Sequence, residues 1–226
     1  MAGLFYLLMS VFGEGANLAR RGLLVSSDAT ATAINIQAHE SMYLLAYACD
    51  LLMVASYVVV TALLYRVFKP VNGSVALTAA AIGLMACTVL AIAYSYELAP
   101  LVLLGNVRYL EAFTMEQRQA LSYMFLKFYS QTYGVSLVFF AFYLLLTGWL
   151  IFRSNFMPRI LGLLLMLGVW GLAFLSPPFA VKYIVWLRLG SVGELLLLIW
   201  LLVKGVDSTK WHLQASAART AERVES

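Results

Sequence analysis

The sequence predicts an all-α fold: a polytopic membrane helix bundle of six transmembrane helices, with extra-membrane helical extensions on the second and fourth. Three observations carry that expectation. Of 226 residues, 63% are apolar and only 12% are charged. The apolar residues gather in runs close to the ~20 residues a helix needs to cross ~30 Å of hydrocarbon. None of the runs shows the two-residue alternation of a lipid-facing barrel, which leaves helices as the elements that satisfy their own backbone in lipid. A water-soluble domain of this length has too little interior to hide so much apolar surface.

The first run, Ala2 to Leu18, is short. No Lys or Arg precedes its apolar stretch, so it reads as a membrane helix rather than a signal peptide. The second span is expected from Ser41 to Phe68 and the third from Ser74 to Leu98. The fourth covers Ser130 to Phe152, the fifth Met157 to Leu175 and the sixth Phe179 to Val203. Together they form one transmembrane domain, residues 1–206, followed by a polar, flexible cytoplasmic tail, residues 207–226.

FKPVNGS and FRSNFMPR read as tight turns, each with a proline that ends or opens a helix. The stretches from Ala19 to Glu40 and from Ala99 to Tyr129 are longer and polar. Asp28 suits an N-cap for a helix through ATATAINIQAHE that continues into the second span. Thr114 and Gln117 form a capping box, expected to start a helix that runs through the fourth span. Arg66, Lys69, Arg153, Arg159, Lys204 and Lys210 sit on the tight turns and the C-terminal end, almost without acids. That bias places both termini and the short turns in the cytoplasm, in a multi-pass protein of the cell inner (plasma) membrane.

The net charge of +4 comes without a Lys/Arg stripe, so no nucleic acid is expected as partner. Membrane lipids are. Cys49 and Cys87 lie inside apolar runs and read as small core residues. His39 and His212 lie outside the deep segments, which excludes bis-histidine haem and His-based metal hydrolysis. Gly-rich phosphate loops and nucleophile elbows are absent, so neither cofactor nor metal is expected. Without a GxxxG face, the oligomeric state stays open.

The polar residues inside the spans are the informative ones. Asp50 follows Ser41 by nine residues, which puts it about 14 Å below the outer end of its helix. Tyr43, Tyr47, Asp50, Val54, Tyr57 and Thr61 recur every three or four residues and share one helix face. Tyr94 and Glu97 share a face of the third span. On the fourth, Tyr123, Lys127 and Ser130 share one face, and Tyr129 and Tyr133 a neighbouring one. Glu194 lies near the middle of the sixth span, with Arg188 in its outer half. A charge at mid-bilayer costs at least ~2.5 kcal/mol, so it turns inward and finds a partner. Arg188 matches Asp50 in depth. Their pairing admits two meanings: a lock between helices, or part of a site.

The motifs AGLFYLL, DATATAINIQAHES, ACDLL, LYRVFKPVN, GWLIFRSNFMPRILGLLL and GELLLLIWLLVKGV together resemble a bacterial integral membrane family catalogued as domain of unknown function forty-three eighty-six. The resemblance extends over nearly the whole chain. It implies a compact helical membrane bundle, with acids at Asp50 and Glu194, and leaves the activity open.

The leading expectation is therefore a buried acid/tyrosine pocket in the outer half, binding a small lipophilic or cationic molecule. Tyr43, Tyr47, Tyr57, Tyr94, Glu97, Tyr129, Tyr133 and Arg188 would line it, with Asp50 and Glu194 as its acids. The alternative is a membrane-embedded lipid or terpenoid cyclase or isomerase. There Asp50 or Glu194 would act as general acid, and tyrosine faces would stabilise a carbocation. A transporter component is the third reading, weakened because no span is broken at mid-depth and no inverted repeat stands out.

Overall fold

Residues 1–105, 107–167 and 192–225 are described in the structure, a computed structural model, and among them every regular element is helical. In chain order these are α1 (Ala2–Arg20), α2 (Ala29–Ala38), α3 (Glu40–Phe68), α4 (Gly73–Glu97) and α5 (Ala99–Leu103). A 3-10 turn at Arg108–Leu110 leads to α6 (Met115–Arg153) and α7 (Arg159–Leu167). Then come α8 (Val192–Val203) and α9 (Ser208–Glu225). Among the described residues, four stretches are long and apolar enough to cross a membrane: α1, α3, Gly73–Leu103 and α6. The expected fifth and sixth spans are represented by α7 and α8. Their remaining residues, Arg188 among them, lie outside the described residues.

Sequence signals account for several of the helix boundaries. The Asp28 carboxylate accepts from the Ala31 N–H at 2.8 Å and starts α2. The Asn72 side chain does the same for α4, accepting from the Val75 N–H at 2.9 Å. Thr114 and Gln117 close their capping box in both directions, at 2.9 and 3.3 Å. From there α6 continues unbroken for 39 residues, about 58 Å at 1.5 Å per residue. Past α8, Gly205 takes φ +65°, the left-handed geometry that closes a helix C-terminus.

One expectation needs correcting. The helix from Asp28 does not run on into the second span: it stops at Ala38, and α3 starts at Glu40. His39 leaves helical geometry at φ −129°, ψ 40°, while its N–H still bonds to the Asn35 carbonyl at 3.0 Å. The buried face of α2 explains the arrangement. Ala33 and Ile36 pack with Leu23, Tyr43, Leu104 and Leu126, and the Gln37 amide donates to the Leu104 carbonyl at 3.1 Å. Tertiary burial of that face outweighs the preference for one straight rod.

The chain forms two compact units. The first comprises Met1–Leu7, Tyr57–Cys87 and Val135–Ser226; the second comprises Leu8–Ser56 and Thr88–Gly134. In the first unit, small residues bring helix backbones close. A β-carbon added at Gly148 on α6 would stand 2.7 Å from the Gly162 carbonyl oxygen on α7. One added at Gly193 on α8 would stand 2.8 Å from the Leu164 backbone. In lipid such close packing supplies the attraction that water supplies elsewhere.

The segment expected as a mobile tail takes helical form in α9. The Trp211 indole N–H donates to the Val67 carbonyl at 2.8 Å, and the Gln214 side chain accepts from the Asn155 N–H at 3.2 Å. Gly148→Ala is expected to destabilise the protein by about 1–3 kcal/mol through overpacking. Gly73→Ala, with open space around it, should cost nothing. Thermal unfolding of both variants in detergent checks the contrast.

Candidate functional site

The second unit contains a buried cluster of charge. Arg20, the last residue of α1, reaches two carboxylates on different helices: Asp50 on α3 and Glu97 at the end of α4. One guanidinium nitrogen donates to Asp50 Oδ2 and also to Glu97 Oε2, the latter at 3.0 Å. The side chains of Arg20, Asp50 and Glu97 are 11%, 4% and 1% exposed. Such burial is tolerable in hydrocarbon because the charges meet one another.

Tyrosines enclose the cluster. The Tyr43 hydroxyl donates to the Glu97 backbone carbonyl at 2.9 Å. Tyr94, buried like Asp50, comes from the same helix as Glu97. Tyr129 on α6 stacks against Tyr94 at 5.8 Å between ring centroids, and the Arg20 guanidinium lies 5.8 Å from the Tyr129 ring. Such a placement suits attraction of the cation by the ring face. Tyr133 continues the row, 6.0 Å from Tyr129.

Two carboxyls against one guanidinium leave a surplus acid. Both acids accept from the same guanidinium nitrogen, through Asp50 Oδ2 and Glu97 Oε2. Glu97 Oε1 and Arg20 Nε are buried without a hydrogen-bond partner among the described residues.

A cavity of about 260 Å³ adjoins the cluster through Tyr129. Its other walls are Leu24, Val25 and Ser26 from the connection after α1, and Tyr123, Leu126, Lys127 and Ser130 from α6. The connection is tied to α6 by the Ser27 N–H, which donates to the Tyr123 hydroxyl at 2.7 Å. The Lys127 ammonium lies 5.0 Å from the Tyr123 ring. Face-sharing of Tyr123, Lys127 and Ser130 is thus realised as a cavity wall.

Of the residues singled out from the sequence, the structure gathers Tyr43, Asp50, Tyr94, Glu97, Tyr129 and Tyr133 in one unit. Tyr47 is half-buried one turn before Asp50 and makes no hydrogen bond or ring contact among the described residues. Tyr57 belongs to the other unit, where it stacks on Phe140 at 4.6 Å and meets Tyr143 edge-on at 6.0 Å. Those contacts make it a core aromatic of that unit. Glu194 also lies in that unit, hydrogen-bonded by the Tyr6 hydroxyl. Asp50 and Glu194 therefore have separate partners. Among the described residues, the cation that Asp50 meets is Arg20, two residues past the Leu18 at which the first span is expected to end. The signal for it was present: a first span too short by itself, followed directly by a basic residue. A helix C-terminus also favours a cation there.

Among the described residues, no group of three or more His, Cys, Asp or Glu is placed to hold a metal ion. The comparison with known families settles the membership that the motifs pointed to. The chain belongs to the family described as Domain of unknown function (DUF4386), whose model matches residues 1–205. No curated protein and no solved structure matches it. The matched range takes in the whole charge cluster of this DUF4386 protein and stops just before α9.

Removing Arg20 would strand two buried acids. Arg20→Met is expected to destabilise the DUF4386 protein by about 3–5 kcal/mol. Adding Asp50→Asn and Glu97→Gln to that variant should recover most of the loss. Thermal or denaturant unfolding reads both, and an Arg20→Met protein as stable as wild type would remove the cluster from any structural role.

Proposed function

We propose that this DUF4386 protein binds a small lipophilic molecule with a polar end, held in the outer half of the membrane beside the Arg20–Asp50–Glu97 cluster. The observation that supports this reading is the cavity of about 260 Å³ against Tyr129. It combines apolar walls, Leu24, Val25 and Leu126, with a few polar groups, Lys127, Ser130 and the two tyrosines. Such a mixture suits a ligand whose body prefers hydrocarbon and whose head wants hydrogen bonds. A cationic ligand is the weaker half of the original expectation. The acids already face the Arg20 guanidinium, and the cavity wall carries a second cation, Lys127.

The enzyme reading keeps one supporting observation, the convergence of Asp50 and Glu97 on one guanidinium nitrogen beside the stacked rings of Tyr94 and Tyr129. A proton held there could serve a lipid or terpenoid cyclase or isomerase as general acid. Glu194 would be a second, separate acid for such chemistry. Nothing equivalent favours a transporter component.

The topology belongs to the same proposal: six spans in the plasma membrane, with both termini and the tight turns in the cytoplasm. The long α6 would then extend beyond the bilayer at its outer end, since its length is about twice the ~30 Å core. Support comes from contacts within the first unit. Trp211 of α9 reaches the Val67 carbonyl at the end of α3, and the Asp207 N–H reaches the Phe156 carbonyl in the turn after α6. The basic turns and the C-terminal helix thus share one side, as the charge bias requires.

Two experiments test the proposal. In gentle detergent, mass spectrometry is expected to find a lipophile travelling with the protein. Tyr129→Ala and Lys127→Ala should each lower its occupancy, together about tenfold, a loss of about 1.4 kcal/mol. Equal retention by the double variant sinks the site, and a bound compound that changes chemically over time favours the enzyme. For topology, the background is Cys49→Ser with Cys87→Ser. A membrane-impermeant maleimide should label Thr114→Cys on intact cells and Asn72→Cys only after lysis. The reverse pattern overturns the orientation.

A further inference from the structure

A second cavity, of about 400 Å³, lies in the first unit where α3 ends. Its walls include Tyr65, Arg66 and Lys69 from the end of α3, and Trp211, Ala215 and Ala218 from α9. Among the described residues, no acidic side chain lines it. Three other basic residues of this unit have partners. Lys210 pairs with Asp207 at 3.5 Å, Arg153 lies over Trp149 at 5.7 Å and Lys204 over Trp200 at 5.0 Å. Arg66 and Lys69 have neither an acid nor a ring partner among the described residues. Three positions apart at a helix end, the two cations lie on one face and repel each other unless an anion joins them.

We propose that this cavity binds the phosphate of an anionic phospholipid headgroup, gripped by Arg66 and Lys69. The guanidinium supplies a planar fork and the ammonium a point charge, a pair suited to phosphate oxygens. Ala215 and Ala218 leave space for the glycerol end of the headgroup. The Trp211 ring is held in place because its N–H is committed to the Val67 carbonyl at 2.8 Å. A lipid is favoured over free phosphate because the cavity sits at the end of a membrane-crossing helix, flanked by Tyr65 and Trp211. Those are the aromatic types that settle at the headgroup level. The surface potential of a membrane rich in anionic lipid adds to the attraction.

The test uses the full chain in mixed phosphatidylglycerol and phosphatidylcholine nanodiscs, extracted gently and read by native mass spectrometry. Wild type is expected to retain phosphatidylglycerol over phosphatidylcholine by about tenfold. The Arg66→Gln/Lys69→Gln double variant should fall to near parity, and the charge-preserving Arg66→Lys/Lys69→Arg variant should keep most of the preference. Both positions are exposed, so unchanged unfolding temperatures are expected to accompany the result. Undiminished retention by the Gln variant overturns the proposal. So does the absence of lipid preference together with saturable binding of millimolar inorganic phosphate, which would assign the cavity to the free ion.

Discussion

The second unit depends on one arrangement: a single guanidinium shared by two buried carboxylates. Asp50 is set in a run of apolar residues where an unpaired charge would cost several kcal/mol. Arg20 removes that cost while also meeting Glu97, so three helices, α1, α3 and α4, are tied through one side chain. The tie is directional. Arg20 reaches both acids only because it is the last residue of α1, and because Asp50 and Glu97 face the same space. Buried ion clusters are weak sources of net stability, since desolvation offsets most of the attraction. Their effect here is to penalise every arrangement of these helix segments that separates the three residues.

The apolar residues obey the complementary rule. On α3, Tyr43, Ala46, Asp50, Val54, Tyr57 and Thr61 are buried, while Leu44, Leu45, Leu51 and Leu52 are exposed. In water that pattern would be inverted. In lipid it is expected, because acyl chains solvate leucine as well as a protein core does, and polar groups have nowhere to go but inward. Close approach of backbones at Gly148 and Gly193 then supplies, in the first unit, the cohesion that apolar burial cannot supply between helices in hydrocarbon.

Function follows from where the polar groups stop being self-satisfied. Arg20, Asp50 and Glu97 meet most of one another's needs, which turns the cluster from an open cation trap into a wall of the neighbouring cavity. Tyr129 is the joint between them, since it faces Arg20 with its ring and also lines the cavity. At the end of α3 the situation is reversed. Arg66 and Lys69 have no acid partner among the described residues and stand beside a cavity of about 400 Å³. The two cavities therefore differ in chemistry: one has mixed apolar and polar walls, and the other carries two basic side chains.

The sequence alone determined the class of the protein, the family, the positions of the long helices and several of their caps. Those properties depend on local chemistry: run length against bilayer thickness, and side chains such as Asp28 and Thr114 bonding a few residues away. It also determined that Asp50 must face inward, because hydrocarbon allows a buried acid no other direction. What it did not determine was the partner. The contact of Arg20 with Asp50 depends on which helices are neighbours, whereas depth, the ground for pairing Asp50 with Arg188, is one coordinate of three; Arg188 itself lies outside the described residues. The break at His39 and the assignment of Tyr57 to a different core from Tyr43 have the same origin. A helical stripe records which residues share a face, and only the packing of other helices along its length decides what each part of that face meets.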